Sequence, residues 1–191
     1  TDAVIFPGQG SQSAGMQARL AAEFEEVLGC YAEASDVLGY DLWQLVQQGP
    51  AERLDITVVT QPAMLTAGVA AWRAFRKAGG RVPAMMAGHS LGEYTALVCA
   101  GALDFPAAVA LVQTRGELMQ AAVAEGSGAM AAILGLDDDQ VVDACGRAGQ
   151  GEVVSAVNFN SPGQVVIAGA KAAVERAVAL ATEAGARRAL M

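Results

Sequence analysis

The chain has one histidine in 191 residues, His89, and only three cysteines, Cys30, Cys99 and Cys145. Three is an odd number, and the spacing matches no zinc pattern, so neither a disulfide framework nor a metal centre is expected. The cysteines read as free, mostly buried thiols of a reducing compartment. Charge is sparse as well: 17% of residues are Asp, Glu, Lys or Arg, and the formal balance is −8. No lysine-rich or arginine-rich stripe offsets that excess, which argues against a nucleic-acid partner. The basic groups left to meet an acidic protein are Arg73, Arg76, Lys77 and Arg81 at one helix end, and Arg187 with Arg188. Long apolar runs are missing too. With no 18-residue apolar span and no charged leader, the sequence reads as a soluble, cytoplasmic protein with no membrane contact.

What is plentiful is small and apolar. Hydrophobic residues make up 53% of the chain and glycine contributes 22 positions, enough for a substantial core and close helix packing. The length suits one domain, or one domain carrying a smaller subdomain.

Ala3 to Phe6 reads as a short strand, followed by a loop at Pro7-Gly8-Gln9-Gly10-Ser11-Gln12. Helical spacing runs from Met16 to Val37 with a break expected near Gly29. Thr60 is placed as the cap of a helix that reaches Lys77, with Gln61 and Pro62 in its first turn. Pro83 to Ala87 reads as a buried strand feeding Gly88-His89-Ser90-Leu91-Gly92, and a helix follows from Leu91 to Ala100. Asp104 caps a further helix to about Val123. Beyond Gly126 the expected order is a strand at 129–136, a helix at 137–148 and a strand at 153–158. A turn at Asn160 to Gly163, a strand at 164–168, a helix at 171–184 and a last strand from Arg188 complete it. That β-α-β-β-α-β order is ferredoxin-like. The fold expected is therefore α/β, with a large unit at 1–125 and a small ferredoxin-like unit at 126–191.

The sharpest chemical signal is Gly88-His89-Ser90-Leu91-Gly92, a G-x-S-x-G nucleophile elbow in its proper strand-then-helix context. The serine stands at the apex, and the N–H of Leu91 lies at a helix N-terminus where an oxyanion would form. His89 is the chain's one imidazole. As the neighbour of Ser90 at a sharp turn it points elsewhere, so it reads as a satisfied structural histidine rather than the general base. Ser90 needs a base all the same. The loop at Gly8 to Gln12 lacks the third glycine of a dinucleotide fingerprint and the lysine of a P-loop. It is either a plain turn or a source of backbone donors, with the N–H of Gln9 facing that of Leu91. Arg115, among apolar neighbours on a helix, either snorkels to solvent or pairs with an anion in a cleft. Asp137, Asp138 and Asp139 with Gln140 read as helix capping, not metal binding. Trp43 and Trp72 read as packing residues.

Five ordered segments resemble the malonyl-CoA:acyl carrier protein transacylases. They are Phe6 to Gln12, Thr60 to Ala63, Gly88 to Tyr94, Arg115-Gly116, and Asn158 to Gln164. The resemblance implies a hydrolase-like large subdomain with a parallel sheet, into which the ferredoxin-like unit is inserted. It implies that Ser90 carries the acyl group and that the N–H groups of Gln9 and Leu91 form the oxyanion hole. Arg115 would hold the malonyl carboxylate, and Gln61, His89 and Asn160 would border the substrate pocket. Malonyl-CoA would be the substrate and acyl carrier protein the acceptor, with no cofactor and no metal. The family's catalytic histidine follows the small subdomain's last strand, so the chain reads as truncated at Met191 and the base is expected beyond it. The competing readings are a serine esterase using the same elbow and an inactive carrier-docking module.

Overall fold

Ala3–Phe6 forms β1, which pairs in parallel with β2, Met85–Gly88, so that Phe6 stands opposite Gly88. The computed structural model of the chain describes residues 2–122, 124 and 126–191. Two units divide the chain, Thr1–Ala122 and Val123–Met191. The division falls just ahead of the boundary expected at Gly126.

In the first unit the helices are α1 (Ala18–Glu23), α2 (Glu25–Leu38), α3 (Leu42–Gln48) and α4 (Ala51–Leu54). They are followed by α5 (Thr57–Lys77), α6 (Leu91–Cys99) and α7 (Phe105–Ala121). The core is helical and centres on α5. Its Ala63, Leu65, Val69 and Ala70 pack with Val27, Tyr31 and Ala34 of α2 and with Ala108, Val109 and Val112 of α7, all buried. Asp104 caps α7 as expected, its Oδ2 accepting from the N–H of Ala107 at 3.2 Å.

Four expectations need correction here. The helical break falls at Phe24, not Gly29: Phe24 is extended, at φ −131° and ψ 109°, and its N–H closes α1 on Leu20. Its ring packs on the core, so burial overrides the local preference for breaking at glycine. Helix α5 begins at Thr57, which puts Pro62 inside it. Thr60 does not cap; its hydroxyl donates back to the carbonyls of Leu54 at 2.6 Å and Ile56 at 3.0 Å. Strand β2 is not buried, with Met85 59% exposed, because no described residue covers that face of the two-stranded sheet. Finally, Arg73 and Lys77 are engaged by the chain's own Glu33 and Glu26 at 2.8 Å each. Arg76 donates to the Gly80 carbonyl, so the basic helix end is largely spoken for. Helices α3 and α4 were not foreseen at all.

The second unit contains β3 (Gly128–Leu134), α8 (Asp138–Ala148), β4 (Val154–Ser161), β5 (Gln164–Ala170), α9 (Lys171–Glu183) and β6 (Arg188–Leu190). Its strands form one antiparallel sheet in the order β4-β5-β3-β6. Ile133, Val165 and Ile167 on one face bury against Val141, Ala144 and Cys145 of α8 and Ala173, Val174 and Ala177 of α9. Asp137 and Gln140 form a reciprocal capping box at the start of α8, the arrangement their spacing encodes. At its other end Arg176 reaches across from α9, donating to the carbonyls of Ala148 at 2.8 Å and Gly149 at 3.2 Å and to Glu152 at 2.7 Å. The β4–β5 turn is tighter than expected. Ser161 pairs with Gln164 across Pro162-Gly163, which leaves Asn160 on the strand. No helix among the described residues is long and apolar enough to cross a membrane.

Candidate active site

The site is built where β2 turns into α6. Hydrogen bonds from the N–H of Gly92 to the His89 carbonyl, at 2.9 Å, and from Glu93 to that of Ser90, at 3.2 Å, draw the turn tight. Ser90 sits between them at φ 54°, ψ −113°, a region that a side chain populates rarely and at a cost of about 1–3 kcal/mol. The flanking glycines make the turn possible. A Cβ on Gly88 would stand 1.9 Å from the Gly92 carbonyl carbon, and one on Gly92 would stand 2.2 Å from the Phe6 carbonyl oxygen. The end of β1 is thus pressed onto the start of α6. Ser90 is exposed, whereas the Leu91 side chain is 1% exposed and anchors the helix start. The N–H of Leu91 has no acceptor among the described residues, and it carries the positive end of the α6 dipole.

Arg115, half-buried on α7, turns inward. Its Nη2 donates to Ser90 Oγ at 3.2 Å and its Nη1 donates to Gln61 Oε1 at 2.7 Å. The guanidinium points at Ser90 and does not snorkel away. Among the described residues it makes no salt bridge, so its charge faces no carboxylate. Gln61 is fully buried on α5, and its Nε2 donates in turn to Met119 Sδ at 3.2 Å. Helices α5 and α7 come close enough for this because Gly116 has no side chain: a Cβ there would lie 2.9 Å from Val58 Cα. The Tyr94 ring lies under the guanidinium, 5.7 Å from Cζ to centroid.

Ser90, Leu91, Arg115 and Gln61 therefore come together. Gln9 is exposed on the loop after β1, and its side chain donates to Thr57 Oγ1 at 3.3 Å. Asn160 is exposed on β4 of the second unit. His89 departs from expectation. It is exposed, and its ring makes no hydrogen bond among the described residues, so it is not the satisfied structural histidine the sequence suggested. Its contribution to the turn is its carbonyl. Tyr94 and Met119 were missed, although each lies four residues beyond a recognised one, Ser90 and Arg115, and so on the same helical face. Arg115 is the side chain in hydrogen-bond reach of Ser90 Oγ, and a guanidinium donates only, so it cannot serve as the base.

Comparisons agree with this geometry. An acyl transferase domain model matches residues 4–191. Malonyl CoA-acyl carrier protein transacylase of Haemophilus influenzae is 64% identical over 189 residues, covering 98% of this chain and 61% of the relative. The namesake from Escherichia coli K12 is 64% identical over 188 residues with the same coverage. Among solved structures, an acyl carrier protein S-malonyltransferase from Vibrio cholerae superposes with a TM-score of 0.94 at 62% identity. A complex of a type II PKS acyl-carrier protein with its malonyl-transacylase matches at 0.96 and 62% identity. In each of these structures the match covers 98% of this chain and 61% of the other. The chain spans about 61% of the length of the curated relatives it matches. The elbow, the strained serine and the arginine laid against it are thus those of a chain that belongs to the acyl transferase domain family.

Proposed function

We propose that the full-length protein moves a malonyl group from malonyl-CoA to the phosphopantetheine thiol of acyl carrier protein through an ester on Ser90. The observation that carries this reading is the Arg115 guanidinium held by Gln61 at 2.7 Å and resting on Ser90 Oγ at 3.2 Å. A cation fixed one hydrogen bond from the nucleophile suits an acyl group with a carboxylate close to its thioester. When malonyl-CoA enters, Arg115 exchanges the serine hydroxyl for the malonyl carboxylate and grips it with a planar fork. Gln61 and His89 border the pocket. An acetyl group would leave that charge unpaired in the cleft, which is the basis of selection.

Ser90 Oγ loses its proton to a base and bonds to the thioester carbon. The carbonyl oxygen becomes an oxyanion received by the N–H groups of Gln9 and Leu91. The C–S bond then breaks, and coenzyme A leaves as a thiol once the base returns the proton. The carrier's thiol repeats the sequence in reverse, which gives ping-pong kinetics. Among the described residues the side chain in hydrogen-bond reach of Ser90 Oγ is Arg115, which only donates, so the reading assigns the base to another group of the full-length protein. The same reading takes the first unit as part of a hydrolase-like subdomain with the second inserted into it. It assigns no cofactor or metal and a cytoplasmic setting. The names of the relatives support malonyl transfer, and the carrier complex among the structural neighbours supports the acceptor.

The test is to incubate the full-length protein with malonyl-CoA and map the adduct by mass spectrometry. A malonyl ester on Ser90, absent from Ser90→Ala and discharged by pantetheine faster than by water, is expected. An adduct elsewhere ends the reading, and discharge to water alone would favour an esterase.

A further inference from the structure

The loop that carries Gln9 is tied down by its own side chains. Gln12 Oε1 accepts from the N–H of Gly10 at 2.8 Å, and Gln12 Nε2 donates to Asp55 Oδ1 at 2.8 Å. Gln9 Nε2 donates to Thr57 Oγ1 at 3.3 Å. Asp55 and Thr57 flank Ile56, the residue that opens α5, and α5 carries Gln61 further along. One amide thus bridges the N–H of Gly10, next to Gln9, to the turn between α4 and α5, the helix whose Gln61 holds Arg115. From the other side, the Phe6 carbonyl rests on Gly92 at the start of α6. The loop is held at both ends, by packing before Gln9 and by Gln12 after it.

We propose that Gln12 and Asp55 are positioning residues for the reaction: by holding the N–H of Gly10 they pin the peptide that follows Gln9, and so keep the loop in the course that lets the Gln9 N–H, one peptide earlier, meet the oxyanion. The inference rests on the acyl-enzyme reading above. Neither side chain touches the substrate. Their action is geometric, because an oxyanion donor is effective only when it is already aimed at the place where charge develops. The hydrogen bond to Asp55 is charge-assisted and so the stronger half of the bridge. Gly10 sits at φ 103° and imposes no side-chain constraint, so without the bridge the chain just after Gln9 is free to swing and to carry the Gln9 backbone with it.

The experiment measures steady-state malonyl transfer and single-turnover acylation by malonyl-CoA in full-length Gln12→Ala, Asp55→Ala, Asp55→Asn and the double alanine variant. Asp55→Ala and Gln12→Ala are each expected to lower kcat about 10- to 100-fold, with KM for malonyl-CoA changed less than about threefold, as for loss of a transition-state contact. The double variant loses no more than the worse single one, because both break one bridge. Asp55→Asn keeps an acceptor and recovers most of the rate. Hydrolysis of the acyl-enzyme slows in step with acylation, since both pass through the same oxyanion. A loop that had merely loosened would instead admit water and speed hydrolysis. Wild-type rates in both alanine variants, additive losses, or faster hydrolysis would overturn the proposal. Ser90→Ala run alongside separates the two claims: a surviving adduct there breaks the acyl-enzyme reading, whatever Gln12 and Asp55 do.

Discussion

Gly92 and Phe6 touch across the elbow so closely that a single methyl group on Gly92 would overlap the Phe6 carbonyl oxygen, at 2.2 Å. Backbone stands on both sides of that contact, so nothing flexible can yield. Gly92→Ala should therefore push β1 away from α6, costing about 1–3 kcal/mol of stability by overpacking. It should also abolish acylation, by parting the Gln9 and Leu91 peptides. Urea midpoints and the Ser90 adduct, measured on the same preparation, check both effects.

Replacing Arg115 tests selection rather than assembly. Arg115→Ala should lower malonyl transfer about 100-fold or more while acetyl transfer is spared or rises. Arg115→Lys should recover little, because an ammonium cannot reproduce the fork that reaches Gln61 and Ser90 at once. Equal losses for malonyl and acetyl would assign the arginine to folding or to coenzyme A binding. Competition between the two thioesters in one reaction gives the ratio directly.

The thiols set a limit at high pH. Burial pushes Cys30 up to about 11 and Cys99 up to about 12, against an ordinary 9.0. With a raised folded-state value, their contribution to stability is fully present below pH 9 and is lost as pH climbs through 11 to 12. Urea midpoints should fall over that window. Alkylation by iodoacetamide at about pH 8 should be slow until denaturant is added.

Arg176 ties the end of α8 to α9 and to Glu152 by three donated hydrogen bonds. Arg176→Ala should leave two carbonyls without that partner and destabilise the Val123–Met191 unit by about 1–2 kcal/mol. Hydrogen exchange should rise across α8 and β4 while α5 and α7 keep their protection.

The sequence disclosed best what is encoded locally. Ala3–Phe6, the elbow, the Asp104 cap and the Asp137–Gln140 capping box each carry their signal within a few residues, and each lies where its pattern put it. The start of α5 was misplaced because Thr60 uses its hydroxyl backwards, a choice made by packing. Helix α3 had a readable signal in Asp41, whose carboxylate accepts from the N–H of Gln44 at 2.8 Å, and it was overlooked. Arg115 is the instructive case. Its role depends on Gln61, 54 positions away, and on Ser90, 25 away, and no periodicity within α7 announces either. The exposure of β2 was misjudged for a related reason: apolar composition reports what a strand would bury, not what lies over it.

The backbone of Ser90, at φ 54°, is comfortable for glycine and uncomfortable for everything else. A mutant that drops the hydroxymethyl group there should gain thermal resistance while losing all chemistry. Drift under selection for folding alone would therefore erase this serine. Under the acyl-enzyme reading, a serine kept at a position where the polypeptide would rest more easily without it is stability given up for turnover.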